Sequence, residues 1–395
     1  LPNRHIHLPI AGALLIGFAL LLSLPLIANA QAHSLSLQAG DLTMQATPVA
    51  SGTFKYGEWL PIWVQLENHG ADQQAEVRVQ VPDQVGATTY AAAVQLPGGS
   101  RKRLAVYVLP NNFSHELNVE LVEAQSGKVL LSQKVDVYPQ PDIIYLIGLI
   151  APQRGGLTLL NNITLPGNNR KPLLIDLSLE ELPDRSEGLR SFDALVLNDT
   201  DTSNLATEQS AALEAWVRQG GRLVIGGGAQ ALPTTAGLPA SLLPFSPHTD
   251  QEVSELPGLN RYAQGQAVRV PGPFVLATGD PDGGTILAEQ DGTPLIQEWT
   301  TDLGYVDFVA LDLAASPFNA WAGTTAFWEA LLSPGAGYPE WRPFDQSIRQ
   351  MRANMMASSL SNLPALDLPS IRWLTILLII YVILVGPANY VVLHW

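Results

Sequence analysis

The stretch Phe192-Asp-Ala-Leu-Val-Leu-Asn-Asp199, followed through a helix by Trp216-Val-Arg-Gln-Gly-Gly-Arg-Leu-Val-Ile-Gly-Gly-Gly228, sets the architecture of this chain. Its two short apolar runs read as strands buried on both faces, the mark of a parallel sheet. Between them Thr207 is placed to cap a helix, with Glu208 in the first turn. Ala211, Leu213, Trp216 and Val217 supply apolar positions, and Gly220-Gly221 ends it. Strand, helix, strand in that order predicts a right-handed crossover. Ile143-Ile-Tyr-Leu-Ile-Gly-Leu-Ile150 and Pro172-Leu-Leu-Ile-Asp176 precede this unit, and strands over Thr285 to Ala288, Pro294 to Trp299 and Tyr305 to Leu311 follow it. Residues 141–337 are therefore expected to form a layered α/β domain of Rossmann-like or flavodoxin-like type.

Upstream the period changes. Leu60 to Leu66, Ala75 to Val81, Arg103 to Leu109, Leu117 to Val122 and Val129 to Val137 alternate apolar and polar residues, separated by turn signals such as Asn68-His69-Gly70 and Pro97-Gly98-Gly99. Period two gives each strand one buried face, so residues 31–138 are expected to form an immunoglobulin-like β-sandwich. Pro139-Gln-Pro141 reads as a stiff break between the two domains. The opening run Phe54-Lys-Tyr-Gly-Glu-Trp-Leu-Pro-Ile-Trp-Val-Gln-Leu-Glu-Asn-His-Gly70 resembles exported β-sandwich modules that precede membrane anchors in bacterial surface proteins.

Both ends of the chain are apolar. Arg4 precedes the run Leu8 to Ala28, which is broken by Pro25 and ends in Ala28-Asn29-Ala30, so residues 1–30 are expected to be a signal peptide with Gln31 as the mature start. Trp373 to Leu393 contains no Asp, Glu, Lys or Arg. At ~1.5 Å per residue it is long enough to cross a ~30 Å hydrocarbon core, so 371–395 is expected to be a transmembrane helix after a connector over 338–370. No Lys or Arg follows Leu393, and the natural chain is expected to continue. Tyr381-Val-Ile-Leu-Val-Gly-Pro-Ala-Asn-Tyr-Val-Val-Leu393 is similar to a transmembrane signature of uncharacterised bacterial membrane proteins that carry such exported modules.

The 395 residues include no cysteine, which excludes disulfides, thiolate metal sites and cysteine nucleophiles. Lys plus Arg number 21 against 36 Asp plus Glu, a formal charge of -15 without a basic stripe, so nucleic acid is not an expected partner. No cofactor motif is present. Asp280-Pro-Asp-Gly-Gly284 lacks the spacing of a calcium loop and reads as a turn, and His248 reads as a solvated loop residue. Phe318, Trp321, Phe327 and Trp328 could form a stacking platform for a sugar or a partner, but their near-helical spacing makes core packing the expectation.

Phe192 to Asp199 and Trp216 to Gly228 together resemble the core of class I glutamine amidotransferase-like domains. That family carries a nucleophilic Cys on a sharp turn after a strand. Laid over Val224-Ile-Gly-Gly-Gly-Ala-Gln230, the nucleophile position falls on Gly226, and no late histidine with a neighbouring acid is present. The resemblance implies the fold without the chemistry. Three glycines at the carboxyl end of a parallel sheet would expose backbone N–H groups beside Asn198, Asp199 and Asp201, making these residues with Gly226, Gly227 and Gly228 the candidate ligand site. The alternative is a tight turn beside a solvated loop. The expected function is a membrane-anchored extracytoplasmic interaction or sensing protein, a pseudoenzyme whose partners are the lipid bilayer and other envelope proteins. The alternative is an envelope hydrolase using carboxylates at the α/β cleft.

Overall fold

The computed structural model describes residues 37–83, 86–110, 113–166, 171–262, 271–336, 351, 354–358 and 371–394. The expected signal peptide and its cleavage motif lie outside these residues, as does most of the connector. What is described is a mixed α/β structure: a β-sandwich followed by a layered sheet.

The sandwich strands are β1 (Leu37–Ala39), β2 (Leu42–Pro48), β3 (Thr53–Lys55), β4 (Leu60–Asn68), β5 (Gln73–Asp83), β6 (Gly86–Leu96), β7 (Arg101–Val108), β8 (Glu116–Glu123), β9 (Val129–Asp136) and β10 (Tyr138–Gln140). They form two four-stranded sheets in the orders β1-β2-β4-β7 and β6-β5-β8-β9, every ladder antiparallel. Met44, Ile62 and Val64 from one sheet meet Val77, Val119, Leu121 and Leu131 from the other in a single core. Alternation is the cause: Leu60-Pro-Ile-Trp-Val-Gln-Leu66 turns Ile62, Val64 and Leu66 inward. Each such side chain contributes ~1.5–3 kcal/mol when fully buried. The expectation missed β2 and β6, and Gly86–Leu96 shows why: its alanines and threonines leave only its last residues, Val94 and Leu96, buried.

The second layer contains β11 (Leu146–Ile150), β12 (Leu173–Asp176), β13 (Ala194–Leu197), β14 (Arg222–Gly226), a hairpin of β15 (Phe245–Val253) and β16 (Phe274–Pro281), then β17 (Thr285–Gln290), β18 (Thr293–Thr301) and β19 (Gly304–Val309). Its helices are α1 (Thr207–Arg218), α2 (Ala231–Thr235), α3 (Pro257–Tyr262) and α4 (Thr324–Leu332). The seven-stranded sheet runs β12-β11-β13-β14-β19-β18-β17, parallel from β12 to β19 and antiparallel beyond. Two apolar clusters cover its faces, one with Trp216 of α1 and one with Phe318, Trp321, Phe327 and Trp328 around α4. The N-cap of α1 is Ala206, one residue before the expected Thr207, because Gln209 Oε1 reaches back to the Ala206 N–H at 3.2 Å.

Pro139 does not make a break. Tyr138–Gln140 pairs in parallel with Thr53–Lys55, so the link between the layers is itself a strand. Val49 and Ala50 of the sandwich join the core on the α1 face of the sheet. At this junction Lys55 Nζ lies 2.7 and 2.6 Å from the two carboxylate oxygens of Asp193, and Asp193 Oδ2 also accepts the Leu146 N–H at 2.7 Å. Lys55 donates its backbone N–H to Ser191 Oγ, and Trp63 Nε1 donates to the Glu181 carbonyl. Tyr107 donates to Asp184 Oδ1 at 2.5 Å, and burial together with that carboxylate holds the phenol far above its ordinary range.

The terminal segment is helical in three consecutive pieces: α5 (Ile371–Ile383), a π-helical turn over Leu384–Ala388 that contains Pro387, and α6 (Asn389–His394). No helix among the described residues is long and apolar enough to cross a membrane. The transmembrane helix expected over 371–395 is interrupted at Gly386-Pro387, because Pro387 lacks the N–H that would continue the ladder.

Removing one partner of the junction pair strands the other. Asp193→Ala, which leaves the buried Lys55 ammonium without its carboxylate, is expected to cost about 3 kcal/mol, more than Lys55→Met, after which Asp193 keeps the Leu146 N–H. Urea denaturation of the two variants tests the order.

Candidate functional site

The chain reverses its order of strand addition around β11, with β12 on one side and β13 on the other. Such a switch point is where doubly wound sheets bind ligands, outside the carboxyl ends of the strands. Asn198 and Asp199 leave β13 there, and Gly226, Gly227 and Gly228 leave the neighbouring β14.

Asn198 organises this end of the sheet. Its side chain is 1 % exposed, its Nδ2 donates to Asp312 Oδ1 at 2.8 Å and its Oδ1 accepts the Leu313 N–H at 2.8 Å. Asp312 Oδ1 also accepts the backbone N–H groups of Ala314 and Ala315, so this one oxygen fixes the start of the loop after β19. Gly226 is explained by the same amide: a Cβ there would lie 2.0 Å from Asn198 Oδ1. Asn198 of the Asn198-Asp-Thr200 sequon is thus buried, with both its amide nitrogen and its amide oxygen hydrogen-bonded inside the protein.

The glycine turn directs its N–H groups inward. Gly227 donates to the carbonyls of Val309 and Leu311 at 2.7 and 2.9 Å, and Gly228 donates to Ala310 at 2.9 Å. A Cβ on Gly227 would meet the Val309 carbonyl at 2.8 Å, so glycine is needed there for close backbone approach. Positive φ is required one residue later, at Gly228 with φ 72°.

The acids are divided. Asp199 adopts a left-handed φ of 50° and is half-buried, and its carboxyl is pushed above the ordinary carboxylate range, first by burial and then by the charge of Asp312. Asp201 turns away into solvent, where Oδ1 accepts the Ser203 N–H at 2.9 Å, and bonding to Ser203 lowers its pKa. The site as built is thus Asn198, Asp199, Gly226–Gly228 and Asp312, with Asp201 outside it. Nothing in the sequence alone joins Asp312 to this group. The signal that places it is that the strand before it, β19, adjoins β14. Thr200 Oγ1 donates toward the carbonyls of Ile150 and Asn198, both at 3.0 Å, and fills the space over the end of β11.

Among the described residues no group of three or more His, Asp and Glu side chains is arranged to hold a metal ion. His248 stands exposed on β15, 3.8 Å from Asp280, and Asp282, Gly283 and Gly284 form the turn between β16 and β17. A surface depression of about 530 Å³ lies on the sandwich, between the edge strands β6 and β7, and Gln95, Lys102 and Arg103 contribute to its lining. It is not near the sheet's carboxyl end.

The profile of a family described as Domain of unknown function (DUF8726) matches residues 41–138, from the start of β2 to the first residue of β10. No curated protein matches the chain. Solved structures resemble part of it, two of them as follows. The CARDB domain of the PF1109 protein from Pyrococcus furiosus, in complex with di-metal ions, is 19% identical over 27% of this chain and 93% of that one, with a TM-score of 0.21. A FixG-related protein from Vibrio parahaemolyticus is 11% identical over 26% of this chain and 99% of that one, with a TM-score of 0.21. Likeness at this level bears on no functional residue.

Gly226→Ala is expected to lower stability by roughly 2 kcal/mol or more through displacement of Asn198, whereas Asp201→Ala stays within about 0.5 kcal/mol. Thermal melting separates them. Asp199 should also give a pH signature. Its folded pKa lies above the ordinary 3.8, so its contribution is fully present below that value and is lost as pH rises through the raised one. Asp199→Asn is expected to flatten that part of the stability profile.

Proposed function

We propose that this protein is a membrane-anchored, extracytoplasmic interaction or sensing protein whose α/β layer is an amidotransferase-like domain without catalytic chemistry. The observation that carries this reading is the filled elbow. Gly226 stands at the position of the family's nucleophile, and Asn198 Oδ1 occupies the space into which a side chain there would project. A nucleophile needs both a side chain and an approach for its base, and neither is accommodated. The turn's N–H groups at Gly227 and Gly228, which could otherwise face a developing oxyanion, bond the strand-end carbonyls of Val309, Ala310 and Leu311.

The anchor rests on the apolar terminal segment. Trp373, Leu374 and every residue from Ile376 to Val385 are exposed, and after Arg372 and Thr375 in its first turns α5 has no polar face. A helix apolar on all sides calls for a nonpolar surrounding, which a bilayer supplies, and the π-helical turn at Pro387 is tolerated where helices pack in lipid. The three pieces follow one another without a gap from 371 to 394. With residues 1–30 read as a signal peptide, the sandwich and the α/β layer would lie outside the cytoplasm, with the bilayer and other envelope proteins as partners.

One observation favours the competing reading, a hydrolase with carboxylates at the cleft: Asp199 holds its proton more tightly than an ordinary carboxyl, as a general acid does. Its neighbour Asp312, however, is engaged by Asn198 and two backbone N–H groups. Loss of a hydrolytic activity on envelope carbohydrate or peptide in Asp199→Asn, at unchanged stability, would favour it.

The full chain expressed in a bacterial host is expected to resist alkaline extraction from membranes and to be degraded by protease added outside the cytoplasmic membrane, while a chain ending at residue 370 is released. Recovery of the full chain in the soluble fraction would overturn the anchor. The purified protein is expected to hydrolyse no glutamine, and Gly226→Cys is expected to lower the melting temperature without creating that activity.

A further inference from the structure

At the opposite, amino end of the strands lies a buried charge cluster that the candidate site does not use. Asp307 of β19 is 0% exposed and Arg222 of β14 is 2% exposed. One guanidinium nitrogen of Arg222 lies 2.6 Å from Asp307 Oδ2, and the other lies 3.6 Å from Glu298 of β18. The same guanidinium donates to the carbonyls of Leu331 and Pro334, at 2.6 and 3.0 Å, and so holds the end of α4 and the residues after it. It rests on the Tyr305 ring at 4.3 Å.

The count of charges is uneven. Two carboxyl groups face one guanidinium in a water-poor core, and Glu298 lies directly opposite Asp307 in the β18–β19 ladder. Asp307 Oδ1 is buried and finds no donor, and Trp328 Nε1 of α4 is likewise buried and unbonded. A proton on the carboxyl pair would both equalise the charge and turn Asp307 Oδ1 into a donor. The remaining titratable groups turned toward Asp307 are Tyr145, just before β11, and Tyr262 of α3, both held far above the ordinary phenol range and neutral.

We propose that the Asp307–Glu298 pair is a proton-binding site that controls the Arg222 clamp on the end of α4, closed with one proton bound and loosened when that proton leaves. On deprotonation the buried Asp307 and the half-buried Glu298 compete as anions for Arg222, so the cheapest relief is for Glu298 to swing toward water and draw the guanidinium from the Leu331 and Pro334 carbonyls. Burial first, with Glu298 adding to it and Arg222 opposing, pushes Asp307 from 3.8 up to about 7. The folded state therefore holds a proton that the unfolded chain releases. The clamp's stabilisation is complete below about 4 and fades as pH rises through about 7. The switch needs neither membrane insertion nor a ligand, so its failure would leave the envelope function untouched.

Hydrogen exchange of the full chain in detergent, corrected for the intrinsic rate at each pH, reads the clamp at the amides of Leu331, Leu332, Ser333, Gly335 and Ala336. Exchange there is expected to rise about tenfold between pH 6 and 8.5 in the wild type and to stay flat in Asp307→Asn, whose amide stands in for the protonated acid. Infrared spectra should carry a protonated-carboxyl band at pH 6 that vanishes at pH 9 and is absent from Asp307→Asn. Glu298→Gln, which removes the repelling charge, should move the midpoint down by about one unit. It keeps the test decisive should Asp307→Asn fold poorly. A wild type with neither the band nor the pH-dependent exchange, an Asp307→Asn that retains either, or an unmoved midpoint in Glu298→Gln would overturn the proposal.

Discussion

The carboxylate of Asp193 is the point at which the two layers become one body. It binds the Lys55 ammonium from the sandwich and the Leu146 N–H at the start of β11, and its own carbonyl accepts the Arg222 N–H. A lysine this deeply placed is costly to desolvate, and only a partner held rigid by the sheet offsets that cost. The other junction contacts, Ser191 to Lys55, Glu181 to Trp63 and Asp184 to Tyr107, come from the same stretch between β12 and β13. Val49 and Ala50 add apolar contacts on the same face of the sheet.

The same logic of buried polar groups explains the two ends of the sheet. At the carboxyl end Asn198 and Asp312 satisfy one another and the loop after β19, which closes the glycine turn upon itself. At the amino end Arg222 is shared among two carboxyls and two carbonyls, and one oxygen is left over. A satisfied network makes a rigid corner. An unsatisfied one leaves room for a proton to matter.

Much of the fold was legible because it rests on periodicity. Arg222–Gly226 was bounded as observed, and β4, β5, β7, β8, β11 and β13 were found because apolar residues recur at every second position or run without interruption. Among the strands that escaped, β2 and β6 have residues that are small, polar or half-exposed, while β1, β3 and the β15–β16 hairpin were also not read as strands. Tyr138–Gln140 was misread because two prolines suggest a linker. In a parallel pair at a sheet margin, proline's missing N–H costs little. The candidate site was partly legible: strand order brings Asn198 and Asp199 beside the glycines, as a crossover requires. The role of Asp312, the outward turn of Asp201 and the Arg222–Asp307–Glu298 cluster depend on which distant strands become neighbours. The pairing of β14 with β19 is separated in sequence by a hairpin and two further strands.

Because β10 is laid into the sandwich as a strand, the two layers have no hinge where the sequence suggests one. A load applied to the sandwich would not be absorbed by swivelling of a linker. It would pass as torque through Lys55 and Asp193 into the amino ends of β11 and β13, the edge of the sheet that also carries Arg222.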